Sequence, residues 1–298
     1  RILIYSRSKK GGKNMIQIKE NIDETFYTAK NDNVFKSIFC DEHDTFLLKT
    51  LIERCLKIKI KLIEIHSPER IKENIYAKGQ RLDVLVKADD KLINIEVNSG
   101  YYEALHRKSF GYAGSKYGEE VKVGESYFDM NDVIQINFTW GLPNKHPVLG
   151  EYPPIDSNTG IKFVDNFNIY EYNMDKIKEL WYSGNKEYEF LAIFDFDKEE
   201  LKKVGSGDKY MTEFKKKVES LNNNARYKEF LSAEEDMRKT NNTFKEIGRR
   251  EGIEIGKSEG VEERNIEIAR NLLKKNVDME IISKATGLAL EEIKKLEK

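Results

Sequence analysis

The chain has 298 residues, 39% of them hydrophobic and 35% charged, with 51 Lys and Arg against 52 Asp and Glu and a formal net charge of -1. Such a composition supplies a sizeable core plus a smaller appendage and excludes a disordered chain, while the balanced charge confines any nucleic-acid contact to a local basic patch. The two cysteines, Cys40 and Cys55, exclude a disulfide scaffold or cysteine-built zinc site and read as buried thiols; no apolar run reaches the roughly 20 residues needed to span a bilayer, so no membrane contact and a cytoplasmic location are expected.

Residues 1–29 read as an N-terminal extension. Their first 14 positions hold Arg1, Arg7, Lys9, Lys10 and Lys13 with no acid. This is either a basic arm for nucleic acid or a segment ahead of the folded start, and no active residue is placed there. A folded domain is expected over 30–225. It begins with an Asx-capped helix from Asn31, whose Val34, Phe35, Ile38 and Phe39 share one side. A second helix is expected over 44–56. The spacing of its Phe46, Leu47, Thr50, Leu51 and Arg54 sets Glu53 beside the apolar stripe, available to a cleft or simply solvated.

The stretch 81–98 predicts a strand, a turn at Asp89-Asp90 and a second strand. Paired as an antiparallel hairpin, these strands bring Asp83 and Glu96 to near-opposing positions. Two such carboxylates, helped by the backbone carbonyl of Val97, form a hard-oxygen set suited to Mg2+, with Mn2+ as a substitute. A metal held there activates water and neutralises charge developing on a phosphodiester.

A helix follows over 101–117 despite Gly111 and Gly114, with Arg107 and Lys108 near its middle. Arg107 is the candidate phosphate clamp, Lys108 and Lys116 add to its field, and Tyr112 is a candidate base-stacking ring. The alternative is a solvated basic face and a packed aromatic. Residues 133–140 predict a core strand, 141–147 a loop, 160–173 one or two strands, and 176–190 and 209–221 helices. Alternating helix and sheet elements make the domain α/β. The four histidines assemble no nucleophilic or metal-binding constellation; His106, closest in sequence to the proposed site, reads as structural. Gly11-Gly12-Lys13 and Gly205-Ser206-Gly207 lack the phosphate cradle of an ATP-driven enzyme.

Residues 226–263 form a glycine-spaced helical linker. Gly248, Gly252, Gly256 and Gly260 recur every four residues, either letting two helices approach in a homo-oligomer or marking a length-variable connector. The module 264–298 predicts three short helices, with Asp278 as a cap and Thr286-Gly287 as a turn. Its outline is that of a helix-turn-helix, which reads duplex DNA or serves as a packing unit.

Asn31-Asp32 with Phe35-Lys36 and Phe39, Arg81-Leu82-Asp83, Ile95-Glu96-Val97-Asn98 and the Arg107-to-Tyr117 segment occur in an order that resembles the Rpn family of recombination-promoting nucleases and transposases, within the PD-(D/E)XK superfamily. The resemblance covers most of 30–180, and the glycine-spaced linker and the Ile281-to-Leu288 ending also resemble tails of this family. It implies a restriction-endonuclease-like core with a helical C-terminal extension, and a cytoplasmic, divalent-metal-dependent DNA endonuclease associated with recombination, mobile elements or defence. Asp83 and Glu96 are then the metal carboxylates, and either Glu53 or Asp32 the distal acid. The departure is Asn98, where the superfamily carries lysine and this family often glutamine: an amide remains, with shorter reach and no charge. Two readings follow, an active nuclease with its water placed differently, and a catalytically degenerate nucleic-acid-binding or oligomeric regulatory protein.

Overall fold

The computed structural model describes residues 25–66, 84–121, 124 and 126–296. Contacts divide the chain into two compact units, one up to Lys228 and the other from Glu229.

In the first unit, helices α1 (Asp32–Phe39) and α2 (Phe46–Leu56) precede strands β1 (Ile63–His66), β2 (Val84–Ala88) and β3 (Lys91–Asn98). The Asn31 side chain accepts from the N–H groups of Asn33 and Val34, satisfying donors that the first turn of α1 leaves open. Asp89, in the left-handed region at φ 52°, makes the turn between β2 and β3, and its carboxylate accepts from the N–H groups of Lys61 and Leu62 ahead of β1. Helix α3 (Leu105–Glu119) then crosses over to β4 (Asp132–Thr139), which is followed by β5 (Leu149–Glu151) and β6 (Phe167–Asn173). The six strands form one mixed sheet in the order β1-β2-β3-β4-β6-β5, antiparallel from β1 to β3 and parallel from β3 through β4 to β6.

Strand alternation separates two faces. On one, Phe138 and Tyr172 meet α1 and α2: Phe35 stands 6.2 Å from Phe138, and the Tyr172 hydroxyl donates to the Cys55 carbonyl at 2.7 Å. Phe35, Phe39, Phe138, Phe194 and Phe214 join there in an aromatic core. The other face lies under α3 and is apolar at one end, where Ala113 and Tyr117 pack on Leu92, Val133, Phe167 and Ile169.

Behind β6 come α4 (Met174–Tyr182), α5 (Glu189–Ala192), α6 (Lys198–Lys202) and α7 (Lys209–Asn223). The single helix expected over 176–190 is two, because the chain turns after α4 through Gly184 at φ 88°. Strands β1 and β5 escaped the sequence reading, both being short strands at the sheet edges. Cys55 is buried as expected, whereas Cys40 at the C-cap of α1 is only half-buried.

Helix α8 (Ala225–Leu273) is continuous over 49 residues, so the first of the three short helices expected after 264 is its end. In the second unit, α9 (Met279–Thr286) starts at Asp278, whose side chain caps the N–H of Glu280, and stops at Gly287 in the left-handed conformation at φ 73°. A final helix, α10 (Leu290–Leu296), completes a small core of Ala269, Ile282 and Ile293. No described helix is long and apolar enough to cross a membrane.

Candidate active site

The sheet face beneath α3 turns polar toward the C-terminal ends of the parallel strands. Register aligns Asn94 with Gln135, then Glu96 with Asn137 and Glu171, then Asn98 with Thr139 and Asn173. All of these side chains are buried, Glu96 to 2% exposure and Glu171 to 3%. A group so placed is stable only if its polar atoms find partners. Asn94 Nδ2 donates to Glu96 Oε1 at 3.4 Å and to Gln135 Oε1 at 2.7 Å; Gln135 Nε2 donates to Asn137 Oδ1 at 2.7 Å, and Asn137 Nδ2 to Glu171 Oε2 at 3.0 Å. Side-chain amides thus link the two carboxylates across three strands.

Helix α3 closes over the row with one side chain per strand. Lys108 Nζ donates to Glu96 Oε2 at 3.1 Å, Ser109 Oγ lies 2.8 Å from Asn137 Nδ2, and His106 Nε2 stands 3.6 Å from Glu171 Oε2. Burial pulls the Lys108 ammonium downward, but the charge and hydrogen bond of Glu96 outweigh it and hold the group above its ordinary value. At Glu171 burial wins: it drives the carboxyl up, favouring the neutral acid, and is only partly offset by Thr139, the Asn137 amide and His106. At 3.6 Å the His106 contact is too long for a hydrogen bond, and Glu171 Oε1 and His106 Nε2 are both buried without one. His146 joins this corner, its ring 5.4 Å from that of His106 and 6.4 Å from that of Tyr101.

The expected site residues fare differently. Asp83 lies outside the described residues. Glu96 is in place, and Val97, whose side chain turns to the opposite face, has only its backbone carbonyl to offer. Asn98 is buried, its amide donating to Thr139 Oγ1 at 3.2 Å. Arg107 is exposed on α3 with no ion pair to another described residue. Lys116 is buried and bound to Glu119 at 3.0 Å, which leaves no exposed ammonium for phosphate. Tyr112 packs under Lys108, whose Nζ is 5.1 Å from the ring centre.

The two candidate distal acids separate. Glu53 is committed to the segment ahead of β1: its carboxylate accepts from the N–H of Ile60 at 2.9 Å and stands 3.6 Å from Lys59. Its helix, α2, also covers the face opposite Glu96, so the structure does not bring Glu53 to the site. Asp32 stands in the first turn of α1, two residues after Lys30, whose Nζ is 5.2 Å from the ring of Trp140 just beyond β4; Trp140 donates its backbone N–H to the Asn98 carbonyl at 3.0 Å.

Glu171, Asn137, Gln135 and Asn94 were missed by the sequence reading. Their signal was present in polar side chains recurring every second residue inside strongly apolar strands, as in Ile134-Gln135-Ile136-Asn137-Phe138-Thr139.

No three His, Cys, Asp or Glu side chains converge as a metal site among the described residues. Glu96 itself offers a carboxylate, a hard oxygen ligand that suits a divalent cation once a second carboxylate is supplied and the Lys108 ammonium shares or yields Oε2.

A β-meander leading through a helical crossover into parallel strands, with a buried acid near the end of the third strand, defines a nuclease-type α/β core. Residues 29–247 match the family described as PD-(D/E)XK nuclease family transposase, and 262–298 match the C-terminal HTH domain of the Rpn/YhgA-like nuclease family. The chain belongs to this Rpn-type PD-(D/E)XK nuclease family. Comparison with curated proteins and with solved structures returns no match.

Proposed function

We propose that the chain is a cytoplasmic, divalent-metal-dependent DNA endonuclease acting in recombination, mobile-element movement or defence, with Asp83, Glu96 and the Val97 carbonyl as metal donors and Mg2+, or Mn2+ in its place, as the ion. The observation that carries this reading is Glu96, a carboxylate kept at 2% exposure near the end of a parallel strand, held by the Asn94 amide and the Lys108 ammonium. Asp32 is the distal acid of this reading, and the exposed Arg107 its phosphate clamp.

Hydrolysis joins a water oxygen to phosphorus and breaks one ester P–O bond, the released alcohol taking up a proton. The metal, when bound, supplies charge neutralisation and an activated water. This chain's own residues fix the site: the Asn94, Gln135 and Asn137 amides hold the carboxylates in one geometry, and α3 covers them. The second unit would hold duplex DNA, and α8, with Phe230, Met237 and Phe244 exposed at seven-residue intervals, would pair two copies.

Purified wild type is expected to cut supercoiled and linear DNA when Mg2+ or Mn2+ is added. Asp83→Ala and Glu96→Ala should each lower cutting at least about 100-fold with near-ultraviolet circular dichroism unchanged. Equal cutting by both variants would remove the site assignment. The commitment of the Asn98 amide to Thr139 favours a second reading, a degenerate DNA-binding protein; folded wild type that binds DNA yet leaves it intact in both metals would establish that one.

A further inference from the structure

We infer that Lys108, reaching in from α3, is the catalytic cation of this site and does the work for which position 98 holds no lysine. The inference rests on the nuclease reading above and assigns the charge which that reading leaves open. Hydrolysis of a phosphodiester passes through a state with excess negative charge on the phosphoryl oxygens, and a fixed cation beside the metal-binding carboxylate lowers its energy. Position 98 cannot provide one, because Asn98 is uncharged and its amide is already donated sideways to Thr139 Oγ1 at 3.2 Å.

Lys108 has the missing attributes. Its Nζ is 3.1 Å from Glu96 Oε2 and 5.1 Å from the Tyr112 ring centre, so a carboxylate and an aromatic face fix the ammonium from two directions. Its side chain is 36% exposed, so a substrate can reach it from solvent, whereas the Glu96 carboxylate it binds is 3% exposed. The neighbouring cations stand elsewhere. Arg107 is exposed, pairs with no acid among the described residues and keeps the phosphate-clamp role, and the Lys116 ammonium is buried against Glu119 at 3.0 Å. Lys108 takes no proton in the step; it acts through charge on the oxygen that becomes negative.

The test compares wild type, Lys108→Ala, Asn98→Lys and the double variant carrying both changes, using single-turnover DNA cutting in Mn2+ and calorimetric titration of Mn2+ into each protein without DNA. Lys108→Ala should slow cutting about 100-fold. Its Mn2+ affinity should be equal to or tighter than that of wild type, because the ammonium no longer competes for Glu96 Oε2. In the double variant, the lysine at position 98 should restore at least about tenfold of the missing rate.

Wild-type cutting rates in Lys108→Ala would overturn the proposal while leaving the nuclease reading intact. So would a parallel loss of Mn2+ affinity, which would make Lys108 a prop for Glu96. Failure of the double variant to recover would likewise overturn it. An inert wild type made active by Asn98→Lys alone would show that Lys108 supplies no such charge, whereas absence of cutting in all four proteins would remove the nuclease reading and this inference together.

Discussion

At the scale of single residues, the buried face under α3 is governed by desolvation. Glu96 and Glu171 occupy the same register row, yet their partners differ in kind: Glu96 has an ammonium at 3.1 Å, whereas Glu171 has neutral side chains and an imidazole beyond hydrogen-bond distance. The consequence for Glu171 is a carboxyl pushed upward by burial. Because its folded value lies above the unfolded one of about 4.3, the folded state holds this proton at pH values where the unfolded chain has released it. The contribution to stability is therefore complete below the unfolded value and is lost as pH rises through the folded one. Glu171→Gln keeps the shape and removes the titration. Urea unfolding midpoints compared between pH 4 and pH 8 should show the variant gaining on wild type as pH rises, and a constant difference across that range would contradict the assignment.

At the scale of elements, the hydrophobic pattern made the central architecture legible. The hairpin of β2 and β3, the core strand β4 and the capped helix α1 follow from strong local signals: period-two alternation, an Asp-Asp turn and an Asx cap. The strand position of Glu96 was legible for the same reason, as a lone acid in an apolar strand. The placement of Glu53 was not, since its side chain is committed to a backbone N–H seven residues onward, a tertiary choice that helical spacing does not encode. Nor was the row joining Glu96 to Glu171, which depends on which strands become neighbours. The opposite face of the sheet depends on aromatic packing: Phe194 stacks on Phe214 at 5.5 Å, meets Phe138 edge-on at 5.4 Å, and lies 5.7 Å from Phe35. Truncating it opens a cavity between α1, α7 and β4. Phe194→Ala should cost about 3–5 kcal/mol, measured by urea denaturation followed through tryptophan fluorescence, while Phe194→Leu should cost distinctly less because most of the volume is kept.

At the scale of the whole molecule, a nuclease core and a helix-turn-helix unit share one chain whose formal charge is -1, so any grip on DNA must come from local surfaces. In the second unit, Ile282 of α9 and Ile293 of α10 are fully buried against Ala269, while Lys274, Lys275, Lys284, Lys294 and Lys295 are exposed. The apolar residues hold the helices together, and under the proposed function the lysines are the charges that would meet phosphates. These roles predict different signatures in DNA binding. Lys284→Ala combined with Lys294→Ala should leave the unit folded and weaken duplex binding. For each phosphate that the variant no longer neutralises, the plot of log affinity against log salt should become shallower by about 0.9. Ile282→Ala, by contrast, should cost about 2–5 kcal/mol in this small unit, melting its helices and weakening binding at every salt concentration. Neither change touches the row at Glu96, so cutting at saturating DNA should persist in both. Salt titrations by fluorescence anisotropy distinguish the cases: an unchanged slope in the lysine variant, with affinity intact, would show that these lysines face solvent and that DNA is held by the first unit.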